Sequence, residues 1–348
     1  MSGDILHLME SREITERLPV FIHAMWRTGS TYIWTKFREQ GQYRAYYEPL
    51  HEKLLFLSRQ DQSLDLAVAR SIATKARHPL LRAPYFAEYP FLPGGGVQLF
   101  QKRLSYENYC LEAGAVDNAL YSYILNLITY ADSYKQCPVF KFNRSLFRSH
   151  WFKAHFKSRN ILVVRRPIDV WRSFLRSGTY FYTSLCLIIG QNRDHPLLQS
   201  IAQAYEIPFF LSDHISHEQR YFFEYASRNW LDLYNIFYLF YVTSFLFNLP
   251  CCDCVIDLDG VSESQHIRQS VIERLRAIGI DFSFSDLRSS VCAQLTPSEN
   301  KSANDEPHLR DILARQIPAS LYISAETKSA HEPFLSEYFR SVASEFSR

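Results

Sequence analysis

The sequence carries no excess of charge of either sign. Its 38 Lys and Arg stand against 36 Asp and Glu, a net of +2 over 348 residues. A nucleic-acid partner would require a strong basic excess, so none is expected. A long uncharged apolar run is missing too. The most apolar stretch, Trp230 to Phe247 (WLDLYNIFYLFYVTSFLF), is interrupted by Asp232 and Asn235, holds eight aromatic residues and is stopped by Pro250. A spanning helix needs about 20 predominantly apolar residues. The stretch therefore reads as a buried core helix, with peripheral membrane contact left open. Residues 1–18 (MSGDILHLMESREITERL) are charged throughout and lack the apolar core of a secretory signal. Reduced thiols and a cytoplasmic location are the expectation for the seven cysteines. Cys251-Cys252-Asp253-Cys254 has no second pair of ligands at zinc spacing, and His214 and His217 are read as ordinary histidines and not as metal ligands. No metal site is expected. Internal repeats are absent, and the nearest thing to low complexity is Gly94-Gly95-Gly96.

What is present is core-forming material. Hydrophobic residues make up 47%, aromatics 15% and charged residues 21% of the chain, as in a globular protein with a large interior. Short apolar runs at Val20–Ala24, Tyr43–Tyr47, Pro138–Asn143, Asn160–Arg165 and Val255–Gly260 read as strands. Helical patterns lie between them, notably Ser30–Gln40, Leu146–Phe156 and Ile267–Ile278. Strands alternating with helices predict an α/β fold, a parallel sheet of about four or five strands flanked by helices. The chain is read as one domain, 1–348. Its core is about 19–50, 137–175 and 250–285, with mostly helical insertions at about 51–136 and 177–249. Within the first insertion, the Pro-rich aromatic piece Tyr85–Phe100 is a candidate lid or acceptor loop.

The first strand runs into Met25-Trp26-Arg27-Thr28-Gly29-Ser30-Thr31 and then a helix. A strand, a tight turn and a helix N-terminus form an anion cradle, because the first amides of the helix lack partners and face the loop. Gly29 permits close backbone approach, and Ser30 and Thr31 add hydroxyl donors. Against the triphosphate-binding pattern G-x-x-x-x-G-K-[ST], Ala24 replaces the first Gly and Ser30 replaces the Lys. The positive charge comes from Arg27 inside the loop.

A second anion site follows the clearest strand. Ile161-Leu162-Val163-Val164 ends in Arg165-Arg166, where a magnesium nucleotide enzyme would carry an Asp. Pro167 and Asp169 begin a helix, and Ser173 lies eight residues beyond Arg165. Guanidinium and hydroxyl suit one phosphate.

W-R-T-G-S-T resembles the 5′-phosphosulfate loop of sulfotransferases that use 3′-phosphoadenosine 5′-phosphosulfate (PAPS). R-x-P-x-D-V-x-x-S, from Arg165 to Ser173, resembles their 3′-phosphate motif. The likeness covers the core and is weak across both insertions. It implies a P-loop-like sulfotransferase fold, PAPS as donor and adenosine 3′,5′-bisphosphate as product. Arg27 and the Glu-Pro pair at 48–49 resemble the carbohydrate and bacterial members. Lys141-Phe142-Asn143 stands where cytosolic small-molecule members read Lys-Thr-His, and Asn143 cannot take a proton.

The resemblance therefore implies Glu48 as general base, with His51 and Glu52 as substitutes. Pro49 would set Glu48 in an extended conformation at a strand's carboxyl end. Arg27 and the amides of Thr28, Gly29, Ser30 and Thr31 would stabilise charge on the sulfonate, with Lys141 assisting by position. Arg165 and Ser173 would hold the 3′-phosphate. The expected acceptor is a carbohydrate or lipid hydroxyl, with aromatic residues near 85–100 and 180–182 stacking on it. Two other classes compete. A P-loop kinase using Mg-ATP predicts a Lys beside Gly29 and an acidic strand end. A non-catalytic scaffold would use 177–250 for partner or membrane contact.

Overall fold

A computed structural model describes residues 17–61, 79, 81–176, 179–287 and 323–345. The charged stretch 1–18 lies almost wholly outside them. The core is one sheet of five parallel strands: β1 (Val20–Ala24), β2 (Tyr43–Tyr47), β3 (Cys137–Phe142), β4 (Arg159–Val164) and β5 (Cys254–Asp257). Their spatial order is β2-β3-β1-β4-β5. Register is set by Val20 opposite both Val139 and Arg159, Tyr43 opposite Cys137 and Ile161 opposite Cys254. The connection from β1 leads to one flank of the sheet and that from β4 to the other. Ligands of open α/β sheets sit at such a divergence, outside the carboxyl ends of the strands.

Twelve helices cover the sheet among the described residues. They are α1 (Ser30–Arg38), α2 (Asn118–Asp132), α3 (Ser149–His155), α4 (Pro167–Arg176), α5 (Tyr180–Gln191), α6 (Pro196–Ala204), α7 (Ile215–Arg228), α8 (Leu233–Asn248), α9 (Leu258–Glu263), α10 (Gln265–Ala277), α11 (Ala325–His331) and α12 (Glu337–Glu345). Side chains alternate along β4 with a period of two. Ile161 and Val163 enter one apolar cluster with α1 and α10; Leu162 and Val164 enter the other with α5, α8 and α12. Both faces are buried, which is why these strands read as continuous apolar runs.

Helix α8 is buried along its whole length, every residue from Leu233 to Asn248 except the half-buried Asn235. A helix apolar all round belongs in a core. No single described helix is long and apolar enough to cross a membrane, although α7 with the stretch Leu233–Cys251 is so as a pair bent by 116°.

The first insertion differs from the helical expectation. Its described part contains α2, single turns of 3₁₀ helix at Glu52–Leu55 and Lys102–Leu104, and otherwise turns. Arginines from the core hold this irregular backbone. Arg38 donates to Ala83 O and Pro84 O, Arg44 twice to Glu88 O, and Arg148 to Leu104 O and Asn108 O. Tyr85, Phe86, Tyr89, Phe91 and Phe100 are buried against the sheet, so Tyr85–Phe100 is a packed wall and not an open stacking platform.

Candidate functional site

Each strand delivers charge or a polar loop to the same carboxyl edge. After β1 comes the Arg27–Thr31 turn, after β2 Glu48, on and after β3 Lys141, Asn143 and Arg144, after β4 Arg165 and Arg166, and after β5 Asp259.

The turn after β1 has the shape of an anion cradle. Gly29 caps α1 at φ 85°, and a Cβ there would collide with Leu258 Cδ1. Arg27 is also left-handed, at φ 67°, a region that costs a non-glycine residue about 1–2 kcal/mol. Tyr32 and Ile33 both donate to Gly29 O, at 2.9 and 3.4 Å. The amides of Thr28, Gly29, Ser30 and Thr31 donate to no described residue. Thr28 is turned inward, its hydroxyl on Met25 O at 2.9 Å, while Ser30 Oγ donates to Asn143 Oδ1 at 3.3 Å.

Arg27 and Ser173 meet directly. Arg27 Nε donates to Ser173 Oγ at 2.8 Å, which joins the loop after β1 to α4. Burial, opposed by nearby Tyr47 and reinforced by the like charge of Arg165, lowers the Arg27 pKa. Arg165 is held from two sides. Its Nε and Nη2 donate to Asp259 Oδ1 at 3.0 and 2.9 Å, and the Tyr241 hydroxyl bonds its backbone. Asp259 Oδ2 accepts from Arg166 N at 2.7 Å.

Glu48 departs from the extended conformation that Pro49 predicts and adopts φ 43°. Its own contacts explain this. Its amide donates to Lys141 O at 2.8 Å, and its carboxylate turns back to three donors on the β3 side. Asn143 Nδ2 and Lys141 Nζ lie 2.8 and 3.3 Å from Oε1, and Arg144 Nη1 lies 2.8 Å from Oε2. Burial would raise this carboxyl, but Lys141, His51 and Arg144 outweigh it and hold Glu48 at about 2. Burial brings Lys141 down to about 8 against the pull of Glu48.

Glu52 completes the cluster. Arg144 Nη2 donates to its Oε2 at 2.7 Å, while Tyr180 and Gln219 of the second insertion each reach its Oε1 at 3.0 Å. His51 Nδ1 is 3.1 Å from Glu52 Oε2. The structure thus gathers Arg27 with Ser173, and Glu48 with Lys141, Asn143, His51 and Glu52. Arg144, Tyr241 and Asp259 did not emerge from motif reading. Arg144 and Asp259 each lie two residues beyond a strand end, which is the one local signal they carry; the Tyr241 contact crosses 76 residues.

Neither strand beside β1 brings an acid to the loop, since β3 ends in Phe142-Asn143-Arg144 and β4 in Val164-Arg165-Arg166. No three His, Cys, Asp or Glu side chains among the described residues are grouped to hold a metal ion. A groove of about 550 Å³ adjoins the edge, lined by Arg166, Asp259, Gly260, Ser264, Tyr338 and Arg340 among others, and by none of Arg27, Glu48, Lys141, Arg165 or Ser173. No family model, curated protein or solved structure matches the chain.

Proposed function

We propose that this chain is a sulfotransferase that moves a sulfuryl group from PAPS to an acceptor hydroxyl of a carbohydrate or glycolipid. The observation that carries the reading is the single edge on which Arg27, Ser173, Lys141, Glu48 and Arg165 gather, with cations where a magnesium-dependent kinase would carry its acid. Arg27 and the amides of Thr28–Thr31 face the 5′ end of the donor, and Arg165 with Ser173 the 3′-phosphate. Seating one ligand on both Arg27 and Ser173 requires their 2.8 Å hydrogen bond to open. A phosphate at Arg165 shares the guanidinium with Asp259.

The chemistry is in-line transfer. The acceptor oxygen forms a bond to sulfur, the bond from sulfur to the bridging phosphate oxygen breaks, and adenosine 3′,5′-bisphosphate leaves with that electron pair. The acceptor proton passes to Glu48. A carboxylate held near 2 is a poor base, since a general base works best with a pKa near the operating pH. Lys141 resolves this. It makes the longest of the three contacts to Glu48, and an incoming sulfonate competes for its ammonium. As Lys141 turns to the sulfonate, Glu48 loses its foremost neutralising charge and its proton affinity rises. Tyr180, 36% exposed and bonded to Glu52, is the aromatic ring at this edge suited to an acceptor's apolar face.

A thermal-shift comparison tests the reading. Adenosine 3′,5′-bisphosphate should raise the unfolding temperature more than Mg-ATP or adenosine 5′-phosphate, and Arg165→Ala should erase the advantage over adenosine 5′-phosphate. Stabilisation by Mg-ATP alone would replace the reading with a kinase. A chain indifferent to all three nucleotides would favour a scaffold.

A further inference from the structure

Helix α8 has no role in the reading above, although it passes beneath the candidate anion site. Among its buried aromatic residues Tyr241, 2% exposed, stands apart in what its hydroxyl does. That hydroxyl accepts from Arg165 N at 3.0 Å and donates to Arg165 O at 2.8 Å. It thus satisfies both backbone groups of Arg165, the residue immediately after β4 at which the cationic turn begins. The ring is fixed in turn, stacked on Phe237 at 5.4 Å between centroids and set edge-on to Phe339 of α12 at 5.9 Å. From the other side, Asp259 fixes the guanidinium at Nε and Nη2.

Apolar packing alone would not need a hydroxyl here. Burying a phenol is unfavourable unless its hydrogen bonds are made, and removing the hydroxyl would take that partner from a part-buried peptide N–H and C=O. Its position meets a functional need, because a guanidinium recognises phosphate by direction as well as by charge. Backbone and side chain of Arg165 are thus both set before any anion arrives, which spares the ligand the cost of ordering them.

We infer that Tyr241 is the positioning residue for Arg165, so that the second insertion supplies part of the anion site and is not an appendage. The inference rests on the donor reading, in which Arg165 receives the 3′-phosphate. Tyr241→Phe should weaken adenosine 3′,5′-bisphosphate about tenfold, as loss of a well-made buried hydrogen bond does, and leave adenosine 5′-phosphate within about twofold. A purely structural role would lower both affinities together or shift only the unfolding temperature. Amide exchange in the unliganded wild-type chain provides a second measurement that needs no variant. The Arg165 N–H should already be protected, and protection gained only with ligand would overturn the inference. Preference for the 3′-phosphate in the wild type that survives Tyr241→Phe removes the positioning role alone. Absence of that preference in the wild type removes the donor reading and this inference with it.

Discussion

Two buried carboxylates at opposite flanks of the sheet have opposite fates. Glu48 follows β2, Asp257 closes β5, and both are shielded from water, at 6% and 0% exposure. Glu48 is met by an amide and two cations and is held at about 2. No described side chain pairs with Asp257, and burial, followed by the neighbouring charge of Asp259, outweighs the nearby amides of Gly260 and Asp259 and pushes it up to about 7. Gly260 lets it lie there, since a Cβ at that position would stand 2.9 Å from Asp257 Oδ2. Desolvation acts on both in the same direction, so the partners decide the outcome. The β2 flank stores fixed charge, whereas the β5 flank stores a proton.

The largest perturbation of this contrast is Arg144→Met. Arg144 serves Glu48 and Glu52 at once, and losing it leaves two buried carboxylates undercompensated. A loss of about 3–5 kcal/mol in unfolding free energy is expected by denaturant titration. Next comes Glu48→Gln, which keeps the shape but removes the charge. A loss of about 2 kcal/mol is expected, and turnover measured under conditions where the variant remains folded should fall by about 100-fold or more. Unchanged turnover would take Glu48 out of the reaction.

Asp257→Asn should have the smallest effect and the opposite sign. Because Asp257 is raised from 3.8 to about 7, the folded state binds more protons than the unfolded state between those values. Its contribution is fully present below 3.8 and is lost as pH rises through 7. The variant should therefore be more stable than wild type at pH 8, by about 1–2 kcal/mol, and show a flatter slope of stability against pH. Glu48 runs the other way. Its contribution is present above its ordinary value of 4.5 and is lost as pH falls through about 2.

The same division explains what could be read in advance. Val20–Ala24 and Tyr43–Tyr47 were legible to the residue because apolar runs, a turn glycine and Pro49 are local signals. The last strand was legible in place but not in length, since Leu258 opens a helix where the run suggested further extension to Gly260. Residues 81–117 were illegible for a physical reason. Their backbone is satisfied by Arg38, Arg44 and Arg148 from distant elements, and a local pattern carries no trace of that. Candidate residues emerged where a strand end and a motif coincide, as at Arg27, Glu48, Lys141 and Arg165. The groups that orient them, Arg144, Asp259 and Tyr241, meet them through tertiary contacts alone.

The strand order has a consequence for how the molecule comes into being. Partners in the sheet lie far apart in the chain, from 93 residues between Ile161 and Cys254 to 139 between Val20 and Arg159. No hairpin seeds such a sheet, and each pairing first closes a long loop. On the ribosome Val20–Ala24 emerges before Val139 and must wait for it before it gains a first neighbour. At about 5–20 residues per second, that strand stays sticky and unpaired for about 6–24 seconds. Over that interval its apolar side chains have no sheet to bury against.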